Sequence, residues 1–114
     1  MEKRKAPRRN LIFYLKVFDK DKNLFGHIVN ISEDGLQVVT DKTYEKNQVY
    51  ELFLNIPKDI ANELPNRLHF KAKVVWTKKD PNEEFFDIGL QIVEKIVFEP
   101  LLIYRLFEEI GFNS

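Results

Sequence analysis

Apolar and polar residues alternate with a period of two along most of the chain. Leu11, Phe13, Leu15 and Val17 share one face, which predicts a strand ending in the charged turn Asp19-Lys20-Asp21-Lys22-Asn23. Phe25 to Ile31 reads as its hairpin partner. Asp34-Gly35 is a turn signal, followed by a short strand through Leu36, Val38 and Thr40. Tyr50, Leu52, Leu54 and Ile56 mark a fourth strand that stops at Pro57. The polar, proline-bounded segment Pro57 to Asn66 predicts a loop with room for a helical turn. Phe70, Ala72, Val74 and Trp76 then line one face of a fifth strand, and Phe86, Ile88, Leu90 and Ile92 one face of a sixth.

The tail changes period. Ile103, Leu106, Phe107 and Ile110 recur at helical spacing between Pro100, suited to a first helical position, and Gly111, suited to the residue past the end. The expected fold is therefore all-β: a six-stranded antiparallel barrel with a C-terminal α-helix. One domain is expected, with a flexible basic arm over residues 1–10, the barrel over 11–93 and the helix over 99–111.

Composition narrows the function. The 114 residues are 44% hydrophobic and 32% charged, with ten Phe, which excludes intrinsic disorder for the chain as a whole. Lys+Arg and Asp+Glu both number 18, so a uniformly basic nucleic-acid binder is disfavoured. Charge is concentrated instead at the start, where Lys3, Arg4, Lys5, Arg8 and Arg9 face a single acid, Glu2. The absence of cysteine removes disulfides, zinc-finger spacings and thiol nucleophiles, and fits a reducing compartment. No signal-peptide core follows the basic start and no stretch is long enough to cross a bilayer, so the cytoplasm is the expected location and no membrane insertion is expected.

Catalysis finds little support. The two histidines, His27 and His69, lack ligand spacing, so no metal site and no cofactor are expected. His27 and Ser32 differ by an odd number of positions and are expected on opposite strand faces, which argues against a nucleophile pair. Glycine-rich phosphate loops are absent.

Two patterns carry chemistry. The first is Arg4-Lys5-Ala6-Pro7-Arg8, where Pro7 disfavours a helix. Guanidinium groups offer forked donors to phosphate and to guanine O6 and N7, and flat faces for stacking. The second is Asn30-Ile31-Ser32-Glu33-Asp34-Gly35. Asn30 and Ser32 share one strand face, so an amide and a hydroxyl can address one ligand, while Gly35 can take a positive φ and admit close approach. By average residue usage the second pattern arises by chance in roughly 5% of chains this long and the first in roughly 25%, so both in order is about a one per cent accident.

The order of Arg-x-x-x-Arg, Asn-x-Ser-x-x-Gly, Val74-Val75-Trp76 and Phe86-Asp87-Ile88-Gly89-Leu90-Gln91 resembles the PilZ domain family, from about Lys3 to about Val93. That resemblance implies a non-catalytic six-stranded barrel that binds the bacterial second messenger cyclic di-GMP. Arg4 and Arg8 match the arginine motif that engages the guanines and phosphates. Asn30, Ser32 and Gly35 match the motif lining the barrel side, with Lys3, Lys5 and Arg9 as supporting contacts. In the family a basic residue at the position of Lys3 tends to accompany a stacked pair of ligands, so the resemblance leans towards two molecules per site.

Trp76 shares the inward parity of Val74 and is expected in the core rather than stacked on a base. The broad apolar face of the last helix also offers a surface for a protein partner or a second copy of the chain. The expected mechanism is an arm that orders over the anionic ligand and so changes binding of an unidentified protein partner. Two alternatives stand beside it: an interaction module of the same fold that ignores the messenger, and a small barrel that binds single-stranded nucleic acid through the arm and aromatics.

Overall fold

A computed structural model describes residues 15–110. The strands are β1 (Lys16–Asp19), β2 (Leu24–Ile31), β3 (Gly35–Thr40), β4 (Val49–Asn55), β5 (Arg67–Lys79) and β6 (Phe86–Val97). They close into an antiparallel barrel in the order β1-β2-β3-β6-β5-β4. A one-turn helix α1 (Lys58–Ala61) occupies the predicted loop between β4 and β5, and α2 (Pro100–Ile110) follows β6. The expected motif residues Lys3, Arg4, Lys5, Arg8 and Arg9, the start of the first predicted strand and Gly111 lie outside the described residues.

Alternation explains the core. Val17, Leu52, Leu54, Phe70, Ala72 and Val74 are fully buried, and each Leu, Val or Phe side chain removed from water contributes about 1.5–3 kcal/mol. Leu102, Ile103 and Leu106 of α2 join the same core, so the helix packs its apolar stripe onto the barrel as its periodicity predicts. Tyr44, on the β3–β4 connection, stacks on Phe25 at 4.0 Å between ring centroids and donates its hydroxyl to the Phe25 carbonyl at 2.9 Å.

Two bulges overturn expectations that rest on strict alternation. In β5, Val74 pairs with Leu90 and Trp76 with Gly89, leaving Val75 as an extra residue. The parity reverses there, and Trp76 is 40% exposed on the outer face rather than in the core. In β2 the register shifts between Ile28 and Asn30, so the buried Ile28 and Ile31 are three apart. His27 and Ser32 therefore lie on the same outer side, not on opposite faces. β6 also runs beyond its predicted end, to Val97, because β5 continues to pair with it below β3.

Candidate functional site

The outer wall over β2, β3, β6 and β5 holds an open groove of about 340 Å³. It is lined by Asn30, Ser32, Gly35, Gln37, Val75, Trp76 and Gly89, among others. Register explains the assembly. Asn30 pairs with Gln37, Gln37 with Gly89, and Gly89 with Trp76, so four adjacent strands contribute one transverse row.

The Asn-x-Ser-x-x-Gly segment forms the turn at one end of that row. The Ser32 amide donates to the Gly35 carbonyl at 2.8 Å, and the Ser32 hydroxyl accepts from the amides of Gly35 and Asp34 at 3.2 and 3.3 Å. Ser32 thus closes the turn with its own side chain, as short hydroxyl residues do. Asn30 Oδ1 accepts the Ile31 amide at 2.9 Å, which leaves its NH2 as the free donor. Gly35 does not use the positive φ that is open to a glycine. Its role is close packing: a Cβ there would lie 2.5 Å from the Leu90 carbonyl oxygen.

The opposite end of the row is aromatic. A Cβ added at Gly89 would overlap Cε2 and Nε1 of Trp76, so the indole lies across the bare backbone of β6. Trp76, Gln37 and Gly89 are groove residues that the motif reading missed. The available signal was Gly89 itself, since a glycine inside a strand marks close approach by another group.

Two titrating groups flank this wall. Asp87, two positions from Gly89 on β6 and opposite Lys78, is pushed up to about 6 by burial and then by the neighbouring Asp80 carboxyl. His27 is held below its usual range by burial and by Lys16, which keeps it neutral near pH 7. Among the described residues no cluster of side chains suited to a metal is present.

The PilZ domain family model matches residues 2–99. The chain belongs to the PilZ domain family. Its relatives form a cyclic di-GMP receptor family, whose members are generally non-catalytic binding modules. Among solved structures this PilZ domain is similar to the Bacillus subtilis inhibitor of motility, MotI/DgrA, with 21% identity and a TM-score of 0.64. The likeness covers 86% of this chain and 47% of that one, so this PilZ domain spans about half the length of that protein. No curated protein matches the chain. No helix among the described residues is long and apolar enough to cross a membrane.

Proposed function

We propose that this PilZ domain is a non-catalytic cytoplasmic receptor for cyclic di-GMP, with the ligand in the groove beside Asn30, Ser32 and Gly35 and the arm bearing Arg4 and Arg8 closing over it. The observation that carries this reading is where the chain enters the barrel. The Leu15 carbonyl accepts the Ile28 amide at 2.8 Å, so Leu15, where the described residues begin, lies beside β2 two positions from Asn30. Arg8 precedes Leu15 by seven residues. An extended chain of that length spans at most about 25 Å, which covers the groove from Asn30 to Trp76 across three strand spacings.

The chemistry is complementary. The groove supplies an amide donor, a second carboxamide and an aromatic face, while the arm supplies the cations that two phosphates require. Lys3, Lys5 and Arg9 add to that charge. Ordering the arm costs roughly 1–2 kcal/mol per residue fixed, which sets affinity near the micromolar range. The ordered arm then presents a new surface to a protein partner. Because phosphate pairing contributes, binding weakens as salt rises.

Calorimetric titration of cyclic di-GMP into wild type, R8A and S32A tests the proposal. Binding by wild type that is lost in both variants supports it. No heat at high micromolar ligand rejects it and leaves an interaction module, favoured by Leu101 and Tyr104 of α2, which are 50% and 63% exposed. Equal binding of any oligonucleotide also rejects it.

A further inference from the structure

The groove floor has a polarity that the arginine and Asn-x-Ser-x-x-Gly motifs do not account for. Gln37 sits between Asn30 and Gly89 in the transverse row, on the outer side of β3, and lines the groove. The Trp76 indole lies over Gly89, so the Gln37 carboxamide flanks its ring one strand away, about 5 Å in backbone spacing. No hydrogen bond from a described residue engages that carboxamide, whereas the Asn30 amide is fixed by its contact with Ile31.

A purine stacked on the indole would present an edge towards β3. Asn30, oriented as a donor, matches an acceptor such as guanine O6 and opposes the exocyclic amine that adenine carries in the same place. Gln37 stands next to it with a carbonyl that no described residue engages. Guanine offers N1–H and N2–H donors on that edge beside O6, and adenine offers a lone pair at N1. A donor from Asn30 and an acceptor from Gln37 therefore reproduce the complement of guanine.

We propose that Gln37 is a specificity-determining residue whose carbonyl oxygen accepts from the N1–H and N2–H edge of a guanine stacked on Trp76. The assignment rests on the receptor reading above and adds to it the means by which this wall selects guanine over adenine. It also gives Trp76 a defined task, since the indole sets the plane in which the base edge meets the carboxamide.

The test titrates cyclic di-GMP and cyclic di-AMP into wild type, Q37L and Q37E. Leucine keeps the volume and removes the acceptor, so Q37L loses about ten-fold in cyclic di-GMP affinity and most of the preference over cyclic di-AMP. Glutamate keeps an acceptor, so Q37E retains the preference even though its charge lowers affinity for both anionic ligands. A Q37L protein with wild-type affinity and wild-type preference overturns the assignment. If leucine is not tolerated, Q37E decides alone, since a preference that disappears there rejects the acceptor role. Failure of wild type to bind either dinucleotide rejects the receptor reading itself, an outcome distinct from selective failure at Gln37.

Discussion

Trp76 rests on Gly89, and the indole fits only because β6 carries no Cβ at that point. Trp76 is the only tryptophan in the chain, so the indole fluorescence of the protein comes from this site. G89A must push the indole off the strand. The emission of G89A without ligand is expected to differ from wild type in wavelength or intensity, and cyclic di-GMP affinity to fall about five-fold or more, since stacking of a base on an aromatic ring is worth about 1–3 kcal/mol. Unchanged emission would show that the indole does not need the glycine.

Asp87 carries a pH dependence whose sign follows from its environment. Burial and the adjacent Asp80 raise its folded pKa from 3.8 to about 6, so the folded state holds a proton that the unfolded state has already lost. Stability is therefore greatest below pH 4 as far as this group is concerned, and declines as pH rises from about 4 through 6. D87N removes the penalty while keeping an amide that can hydrogen-bond Asp80. Solvent screening at this partly exposed site reduces the effect, and a gain in Tm of about 2–5 °C at pH 8, with little or none at pH 4, is expected from thermal melts. Equal gains at both pH values would contradict it.

Much of the barrel is legible because burial leaves a periodic mark. Val17, Leu52 with Leu54, and Phe70 with Ala72 and Val74 are the inward residues of three strands, and each follows the alternation of its segment. The mark fails where the ladder is irregular. Val74-Val75-Trp76 reads as uninterrupted strand, yet Val75 is a bulge, and no residue type there distinguishes an extra residue from a paired one. The end of β6 is illegible for a related reason. Register shifts against β5 between His69 and Phe70 and between Lys71 and Ala72 break the alternation that would have extended the strand past Ile92. At the site, Asn30, Ser32 and Gly35 are contiguous in sequence and readable as a motif, whereas Gln37, Gly89 and Trp76 meet only through the pairing of β3, β6 and β5.

Tyr44 packs against the core beside Phe25 and Tyr50, and its phenol is expected to titrate abnormally. Burial pushes it up to about 12 from 10, so the folded state keeps its proton between those values and stability falls as pH rises from 10 to 12. Ultraviolet titration should resolve a component near pH 12 from Tyr44, beside Tyr50, whose phenol burial also raises. Y44F removes that component and leaves the Phe25 carbonyl without its 2.9 Å donor, at a cost of about 1 kcal/mol in urea unfolding. Retention of the late-titrating component in Y44F would assign it elsewhere.

Arg105 ties the two helices together. Its Nη1 donates to the Ala61 carbonyl at 2.6 Å, at the end of α1, and its Nη2 donates to the Glu63 carboxylate at 3.0 Å. The Ala61 carbonyl also accepts the Leu64 amide at 2.9 Å, so the guanidinium adds a second donor there and joins the end of α1 to α2, whose Leu102 and Leu106 are buried in the core. The ion pair contributes much less, because Glu63 is fully exposed, although its own backbone amide and then Arg105 hold its carboxyl below the usual range. R105A is expected to lower unfolding stability by about 1–3 kcal/mol, whereas E63Q should leave the urea midpoint nearly unchanged. A comparable loss in the two variants would mean that the charge pair, not the carbonyl contact, fastens the helix.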